Sequence, residues 1–546
     1  MRILLACAFV GLSAATAAAG PAQFVIVNIN APGVGFNDPT PAAPVGGNAG
    51  TTLGEQRLIA FNHAAALWSA RLDSAVPIRI RAQFTSLAAG VLGSAGPVSV
   101  VRDFTNAPLP NTWYHVALAN KLAGVDLLPA NDDINANFST NFDFYLGLDN
   151  NHGPKNDLVT VLLHEFAHGL GFSQNASLTS GALLLGRADA YNSKLFDITL
   201  NAYWPQLTNA ERVASATRFG RVVWDGANVT SASPLVLTFG SPVVQVASPP
   251  SIAGVLQFGT AAFGPSLGSP TISGLVVAAV DAVEVGGTST DGCTPLTNAG
   301  AVAGRIAIIE RGLCGFAVKA RNATDAGAIG VIIYNQASNA NGAPPGMADD
   351  GINGAFVTVP TVSVRRADGL AIAGASGAIV DMGIDMTVRA GADPLNRLRV
   401  YAPFPVVGGS SISHYDTVAS RNLLMEPAIN ADLTHRLKAP DDLTFELLRD
   451  IGWTFPDADT DGVVDDEDCN ANSDRRPTII LNGIDTGVPN TLFASGCTSS
   501  DLIAQVDGAN HGGFVSGVAH LTNEWVASGV ISGQQKGAVQ SAAAKK

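Results

Sequence analysis

The segment NDLVTVLLHEFAHGLGF at 156–172 constrains this chain more than any other. Its apolar residues recur at three- and four-residue intervals, which predicts a helix with one buried face. Asn156 or Asp157 can cap the start of that helix, because a short polar side chain accepts hydrogen bonds from its first free backbone N–H groups. Gly169 and Gly171 are expected to end it. The segment therefore predicts one buried helix with defined ends.

This helix carries an H-E-x-x-H motif. His164 and His168 are four residues apart, so their imidazoles project from one side of the helix, one turn apart. Two neutral imidazoles can hold a zinc ion while Glu165 acts as the general base that takes a proton from zinc-activated water. The competing interpretation is a solvated helix face that happens to carry these side chains. The apolar stripe, the cap and the following glycines disfavour it.

Two histidines leave the metal site incomplete, because a catalytic zinc needs three protein ligands and one open position for water. The motif resembles the metzincin pattern H-E-x-x-H-x-x-G-x-x-H, with Gly171 in place. Gln174, a poor ligand, occupies the last position. The third ligand must therefore lie elsewhere, and the candidates are Asp189, Asp197 and a distant histidine.

Three later segments favour the distant histidine by resemblance. GGSSISHYD at 408–416 is followed by NLLMEP at 422–427 and by LLRDIGW at 447–453. With the H-E-x-x-H helix, these segments resemble the leishmanolysin family of metzincins, in which an insertion precedes the third histidine and a Met-turn follows it. The resemblance implies that His414 is the third zinc ligand and that Met425 is the Met-turn residue under the metal. The chain departs from that family in having no cysteines in these segments and a different inserted domain.

Alternating and periodic residues before the zinc helix predict an α/β arrangement. Ile134, Ala136 and Phe138 alternate with polar residues and predict an edge strand. By resemblance to metzincins, 133–139 is a candidate for pairing with extended substrate. The other predicted elements are a strand, a helix, a strand and a helix, at 24–27, 53–71, 76–84 and 112–122.

A second resemblance covers the insertion, where the composition shifts towards Gly, Pro, Ser, Val and Ala. RIAIIE at 305–310 predicts a strand, 315–327 an amphipathic helix and 329–334 a buried strand, which together make a β-α-β unit. With the DGC triplet before this unit and VPTV after it, the region resembles a protease-associated (PA) domain. In that family the domain is a non-catalytic lid or docking module, so no catalytic residue is assigned to it.

The acidic segment DADTDGVVDDEDC at 457–469 predicts a calcium loop. Carboxylates stand at loop positions 1, 3, 5, 9 and 12, with glycine at position 6, which suits an oxygen cage for Ca²⁺. The segment resembles a thrombospondin type 3 repeat, including its final cysteine. The alternative is a solvated acidic linker. The predicted calcium ligands are Asp457, Asp459, Asp461, Asp465 and Asp468.

The start of the chain and its cysteines indicate an exported protein. A basic residue, an apolar run and an A-x-A site predict a signal peptide at 1–19. The four later cysteines form two local pairs along the sequence, which fits two disulfides in an oxidising compartment. The predicted bridges are Cys293–Cys314 and Cys469–Cys497.

Charge and hydropathy exclude other classes. The net charge of −14 disfavours nucleic-acid binding, which needs a basic face for the phosphates. After the signal peptide no apolar run is long enough to cross a bilayer. GPSLG at 264–268 matches G-x-S-x-G, but its loop-like context disfavours a serine hydrolase.

The sequence thus predicts an α+β protein whose metzincin-like zinc protease domain is interrupted by an inserted α/β PA domain. We expect a secreted, monomeric zinc metalloendopeptidase that acts on proteins or peptides, with catalytic Zn²⁺ and structural Ca²⁺. The alternative is a catalytically inactive, secreted calcium-binding adhesion protein on the same fold; the intact H-E-x-x-H motif favours the enzyme. The expected parts are a signal peptide, the first catalytic part, the PA domain, the second catalytic part, the calcium repeat and a helical region, at 1–19, 20–240, 241–388, 389–455, 456–469 and 470–546.

Overall fold

The computed structural model describes residues 20–508 and 510–545, so the predicted signal peptide lies outside the described residues. The chain divides into two compact units. Among the described residues, the smaller unit comprises 20–24, 66–77 and 454–545, and the larger comprises 25–65 and 78–453.

The first part of the chain builds the frame of the H-E-x-x-H helix, α3. Its strands are Phe24–Asn28 (β1), Ile78–Thr85 (β2), Gly93–Pro97 (β3), Val100–Val101 (β4), Tyr114–His115 (β5) and Ile134–Ser139 (β6). Its helices are Leu53–Ser69 (α1), Val116–Ala123 (α2) and Leu158–Leu170 (α3). The predicted elements at 24–27, 53–71 and 76–84 are therefore confirmed, and the helix predicted at 112–122 begins only after β5.

One sheet with the order β1-β2-β6-β3 supports α3. β6 pairs in parallel with β2 and antiparallel with β3, so the strand predicted at 133–139 exists but is internal. The prediction that it is the edge strand is wrong, because β3 covers that side. The residues of β3, GSAGP, have no hydrophobic alternation from which a strand could be predicted.

An aromatic cluster fills the space between this sheet and α3. The ring centroid of Phe61 lies 4.9 Å from that of Phe138 on β6 and 5.9 Å from that of Phe166 on α3. All three side chains are buried. Burying a phenylalanine contributes roughly 1.5–3 kcal/mol, so this cluster fixes α3 firmly against the sheet.

The next part of the larger unit carries the chain from α3 to the insertion and back. Its elements are Leu195–Asp197 (β7), Ala202–Tyr203 (β8), Asn209–Ser215 (α4), Val222–Trp224 (β9) and Ala227–Val236 (α5). After the insertion, Leu398–Arg399 (β18) joins them in a sheet with the order β18-β9-β7-β8. Thr444–Ile451 (α9) ends this part.

The insertion between α5 and β18 contains an eight-stranded sheet with the order β11-β10-β17-β13-β14-β15-β16-β12. Its strands are Phe239–Ser248 (β10), Gly254–Val255 (β11), Phe258–Thr260 (β12), Ile272–Ala278 (β13), Ile306–Glu310 (β14), Gly330–Tyr334 (β15), Thr361–Val364 (β16) and Ile379–Arg389 (β17). Its helices are Ala299–Val302 (α6), Phe316–Asp325 (α7) and Arg366–Gly374 (α8). The elements β14, α7 and β15 confirm the predicted β-α-β unit. We call β10 to β17 the inserted domain.

The chain enters and leaves the inserted domain through two adjacent strands. β10 and β17 pair antiparallel from Phe239 opposite Arg389 to Ser248 opposite Ile379. The two ends of the insertion are therefore neighbours, as an insertion into an existing domain requires. A disulfide joins Cys293 to Cys314 within it, as predicted.

The smaller unit contains a hairpin and three helices besides the acidic loop. Its elements are Thr478–Leu481 (β19), Ile484–Pro489 (β20), Ser499–Ala504 (α10), His511–Ala527 (α11) and Gly533–Ala543 (α12). The predicted bridge between Cys469 and Cys497 is present. The helices near the chain end agree with the prediction, which missed the hairpin. In the described part of the chain, every helix is too short or too polar to cross a bilayer.

Candidate metal centre

Three histidine side chains converge in the core of the larger unit. His164 and His168 project from α3, and His414 lies in the loop after β18. The Nε2 atom of His414 is 3.2 Å from Nε2 of His164 and 3.3 Å from Nε2 of His168. All three side chains are buried. The structure thus brings the histidine chosen by resemblance to the H-E-x-x-H pair, across 246 residues from His168.

Local features of α3 set the position of its two histidines. Asp157 caps the helix, since its Oδ2 accepts a hydrogen bond of 2.8 Å from the backbone N–H of Thr160. Gly171 ends it, with a φ of +134° that side-chain-bearing residues rarely adopt. The prediction that Gly169 helps to end the helix is wrong, because this residue lies within α3. A Cβ there would come within 2.5 Å of the Ile134 side chain, so Gly169 instead allows α3 to approach β6 closely.

Each imidazole is oriented by a backbone carbonyl. Since a carbonyl only accepts hydrogen bonds, each Nδ1 carries a proton and each Nε2 presents a lone pair. Such partners fix the tautomer and the ring orientation of a metal-binding histidine. The Nδ1 donors of His164, His168 and His414 bond to the oxygens of Leu424, Phe172 and Ser410 at 2.7, 2.7 and 2.9 Å.

The resulting donor set fits zinc. Three lone pairs face one another with no hydrogen between them, an arrangement that a cation stabilises. Zinc–nitrogen bonds of about 2.0–2.1 Å in tetrahedral geometry separate the nitrogens by about 3.3 Å, close to the distances found here. Burial lowers the pKa of His164 to about 4 and that of His414 to about 3, and holds the pKa of His168 well below its usual value. All three rings are therefore neutral, as metal ligation requires.

The alternative third ligands lie in other interactions. Asp189 accepts hydrogen bonds from the backbone of Asn175 and the side chain of Asn192, both at 2.7 Å. Asp197 pairs with Arg218 at 2.6 Å. Neither carboxylate belongs to the convergent group of described ligand atoms around the three histidines. The side chain of Gln174 bonds to the backbone N–H of Ala176.

Glu165 lies between α3 and the edge strand β3. Its side chain is buried, and burial raises its pKa to about 8, although a hydrogen bond from the backbone N–H of Ala95 opposes the shift. A Cβ on Gly93 would lie 3.0 Å from Cγ of Glu165, so the glycine permits β3 to pass close to this carboxylate. A divalent cation beside Glu165 would lower its pKa, since a nearby positive charge favours the ionised form. In that state the carboxylate can accept a proton.

The predicted Met-turn is joined to two parts of the centre. Its Leu424 carbonyl orients His164. The carbonyl of Met425 accepts a hydrogen bond of 2.8 Å from the backbone N–H of Tyr415, the residue after His414. Met425 is fully buried. The turn therefore helps to hold the helix histidine and the loop histidine in register.

The acidic loop of the smaller unit brings part of its predicted ligand set together. Carboxylate oxygens of Asp457, Asp459 and Asp461 lie within 4.8 Å of one another. Asp461 Oδ2 is buried without a hydrogen-bond partner. Asp465 and Asp468 fall outside this group, and their Oδ1 atoms accept hydrogen bonds from the backbone of Ala458 and Asn470 instead, at 2.8 and 3.0 Å.

One contact of the centre carries no signal in the sequence. Nε2 of His435 lies 2.6 Å from Oδ2 of Asp157, the cap of α3. The two residues are 278 positions apart, so no local pattern connects them. The sequence also cannot identify the backbone carbonyls that orient the imidazoles, because every residue has a carbonyl. Ser266, the serine of the G-x-S-x-G match, lies in the loop between β12 and β13, without the strand-to-helix turn of a nucleophile elbow.

Comparisons with known proteins identify one domain. The PA-domain family matches residues 272–372, which lie within the inserted domain. Human ER degradation-enhancing alpha-mannosidase-like protein 3 is 43% identical over 83 residues, covering 15% of this chain and 9% of that protein. An aminopeptidase of Pseudomonas aeruginosa is 50% identical over 72 residues, covering 12% of this chain and 13% of that protein.

The similarity to solved structures is partial. A zinc aminopeptidase from Bacillus subtilis shares 20% identity with a TM-score of 0.20, over 28% of this chain and 31% of its own. The chain spans only about a tenth of the length of the curated relatives it matches. One of these relatives is named as a mannosidase-like protein and another as an aminopeptidase, so the shared stretch does not determine an activity. The chain contains a PA domain; its chemistry must be argued from the histidine centre.

Proposed function

We propose that this protein is a secreted, zinc-dependent endopeptidase with a metzincin-like centre. The observation that carries the proposal is the convergence of three buried, neutral imidazoles, in which Nε2 of His414 meets Nε2 of both His164 and His168, beside the buried carboxylate of Glu165. His164, His168 and His414 would hold the metal. Met425 would support the site from the turn that orients His164.

The chemistry divides between the metal and the chain. When bound, zinc supplies a Lewis acid that polarises a peptide carbonyl and makes water a better nucleophile. Glu165 accepts a proton from the attacking water and can deliver it to the leaving amine. Burial at this position excludes bulk water from the carboxylate and strengthens its interaction with the reacting groups. The Nδ1–carbonyl bonds hold the three rings still during the reaction.

Substrate would bind along β3. This strand is the sheet edge nearest to Glu165, and an edge strand offers unpaired backbone groups to an extended peptide. β3 thus takes the role that the sequence suggested for 133–139. Because Gly93 brings the strand against the carboxylate, a peptide paired with β3 would pass next to the general base.

Calcium and export complete the proposal. The group formed by Asp457, Asp459 and Asp461 supports a calcium site, since a buried carboxylate oxygen without a partner is costly unless a cation binds it. The signal-like sequence at 1–19 and two disulfides support secretion. The competing function is an inactive adhesion protein on this fold.

Metal analysis combined with proteolysis tests the proposal. The purified protein should contain one zinc per chain and cleave casein internally, and 1,10-phenanthroline should abolish the cleavage. Glu165→Gln should retain zinc and lose about 10²–10⁴-fold in rate, the usual contribution of a general base. Exposed Glu524→Gln is the matched control and should keep full activity.

Two outcomes would contradict the proposal. Zinc-loaded protein that cleaves no polypeptide would favour the adhesion function. Hydrolysis only of peptides with a free N-terminus, and none of N-acetylated peptides, would replace the endopeptidase by an aminopeptidase.

A further inference from the structure

A cavity of about 490 Å³ lies between the inserted domain and the segment 199–221, and none of the three histidines lines it. Arg218 and Arg221 line it from one side, and Arg365, at the start of α8, lines it from the inserted domain. The hairpin between β10 and β11 forms another wall. Its volume is within the range of about 300–1,000 Å³ typical of ligand sites. We call it the arginine cavity.

The guanidinium groups of Arg218 and Arg365 are held in place by carboxylates and keep donors free for a ligand. Arg218 pairs with Asp197 at 2.6 Å, and Arg365 bonds to Asp368 through two nitrogens at 2.6 and 2.7 Å. Neither carboxylate lines the cavity. Each guanidinium has five N–H donors, so one or two bonds to a carboxylate leave others for a second anion.

Arg221 differs from the other two arginines. Its Nε donates to the neutral hydroxyl of Thr199, at 3.2 Å. Its positive charge is therefore not offset by that partner. The residues lining the cavity include three arginines and no aspartate or glutamate, in a chain of net charge −14. Arg221 therefore gives this concave wall a positive charge that attracts anionic ligands, while Arg218 and Arg365 offer the N–H donors that their carboxylate partners leave free.

The shape of the cavity favours a polypeptide over a single small anion. Ala253, Gly254 and Val255 form a continuous stretch of its wall. The last two form β11, the edge of the eight-stranded sheet. Edge strands bind extended peptides through their free backbone groups. Charge and edge together describe a ligand with a peptide backbone and several carboxylates.

We infer that the arginine cavity binds an acidic, extended segment of a polypeptide, with its carboxylates on Arg218, Arg221 and Arg365 and its backbone along β11. The inference rests on the proposed function only in taking the natural ligand to be a protein substrate. The cavity is then a second recognition site, separate from the histidines, that selects substrates with a stretch rich in Asp or Glu.

Direct binding tests this assignment without relying on catalysis. A short fluorescent peptide rich in glutamate is titrated into the full-length, zinc-loaded Glu165→Gln protein, and polarisation reports the affinity. Arg221→Glu should weaken binding at least about tenfold, because it replaces an attractive charge by a repulsive one. Arg305→Glu makes the same charge change on an exposed residue of the inserted domain outside the cavity, and should leave the affinity unchanged. The affinity should also fall as salt rises.

Further arms identify the ligand and the site. A glutamine-rich peptide of equal length should not bind, and glutarate should compete only weakly. Removing zinc should leave the affinity intact. Arg221→Gln, whose fold is checked by thermal melting, should give an intermediate loss if Arg221→Glu proves unstable.

Several results would overturn the inference. They are equal binding of the glutamine peptide, equal loss in Arg305→Glu, glutarate binding as tight as the peptide, and loss of binding on zinc removal. Failure of casein cleavage with intact, Arg221-dependent peptide binding would reject the proposed function and keep this site. Casein cleavage without Arg221-dependent peptide binding would keep the proposed function and reject the arginine cavity as a binding site.

Discussion

The histidine centre and the acidic loop each bring three ligand atoms within 4.8 Å, but different parts of the chain hold them. The imidazoles are buried and are oriented by carbonyls that lie outside α3 or beyond its end. The carboxylates of the loop are half-exposed and accept hydrogen bonds from the loop itself, for example from Asp461 N to Asp457 Oδ1 at 3.0 Å. The histidine site is therefore prepared by the fold, whereas the proposed calcium site would depend on its ion to hold the carboxylates together.

Electrostatics separates the two sites further. The three neutral imidazoles bring their nitrogen lone pairs close together, but they add no net charge to the histidine centre. In the loop, burial raises the pKa of Asp461, and the neighbouring carboxylates of Asp459, Asp468 and Asp457 raise it further. A cation removes this repulsion. Loss of calcium should thus loosen 457–469, whereas loss of zinc should leave the helix and its histidines in place.

The largest effect is expected from His414→Ala. Removing one of three ligands should reduce zinc affinity on the order of 10³-fold, beyond the 10–100-fold typical of changes around a ligand, and abolish hydrolysis. Zinc content after dialysis against a competing chelator measures it. Gln174→Ala is the control and should retain zinc. If Asp189→Ala or Asp197→Ala strips the metal while His414→Ala keeps it, the ligand set is wrong.

Glu446 tests how far burial moves the pKa of a carboxyl group that is not part of either proposed metal site. Its pKa is raised to about 7, first by burial and then by the charge of Asp442, with Arg449 opposing. In the unfolded chain it ionises near its ordinary value, so between about pH 4.5 and 7 the unfolded chain has lost a proton that the folded chain keeps. Folding stability should therefore fall as pH rises through this window, by about 3 kcal/mol from this group.

Glu446→Gln should remove that dependence and stabilise the metal-free protein at pH 8 relative to the parent. Urea unfolding at pH 5 and pH 8 measures the difference. Exposed Glu524→Gln should leave the pH dependence as it is. If the change in unfolding free energy between pH 5 and pH 8 is the same in Glu446→Gln as in the parent, this carboxyl group ionises in the folded protein near its ordinary pKa.

Asp461→Asn probes the loop at its buried oxygen that has no hydrogen-bond partner. We expect calcium affinity to fall by about 10–100-fold, because one charged donor near the ion becomes neutral. Calorimetry with calcium alone gives the affinity. Asp465→Asn should have a smaller effect, since Asp465 lies outside the group of three. Equal losses of calcium affinity in both variants would support the five-ligand loop expected from the sequence. No calcium uptake at all would support the alternative, a solvated acidic linker.

The smallest effect should come from His435→Ala, which removes the 2.6 Å contact with the cap of α3. The buried carboxylate of Asp157 keeps its bonds to Thr160, so the loss should be about 1–3 kcal/mol of folding stability. Zinc affinity should change less than tenfold if the carbonyls alone orient the rings. A larger change would show that the cap contributes to metal binding. His435→Gln, which can still donate a hydrogen bond, should recover part of the stability.

Hydrophobic periodicity and known motifs predict most of the helices and strands that surround the histidine centre. The alternation of β2 reflects burial on one face, which the sequence records directly. The apolar stripe of α3 predicts the helix but only one buried face, whereas every residue of α3 is buried. The β-α-β unit of the inserted domain is predicted from two short apolar runs on either side of an amphipathic helix, and these runs form strands buried on both faces. His414 required the family resemblance, because the residues alone left Asp189 and Asp197 open.

What escaped prediction has a physical cause in each case. β3 consists of small residues and proline, so its position depends on pairing with β6 rather than on propensity. Gly169 was assigned to a helix end because sequence cannot show that Ile134 packs against it. The hairpin β19–β20, in contrast, has a recognisable turn signal in its sequence. Asn482 and Gly483 form an Asn-Gly turn, and both have the positive φ values, 52° and 74°, that such turns require.

The position of the insertion also sets an order of events during synthesis. A ribosome adding about 5–20 residues per second makes His414 about 12–50 s after His168, since 246 residues separate them. The inserted domain, with its own sheet and disulfide, emerges entirely within that interval. A nascent chain thus holds only two of the three histidines until the inserted domain has been made. A metal site that needs all three histidines is therefore incomplete for most of translation. The delay follows from the position of the inserted domain between His168 and His414.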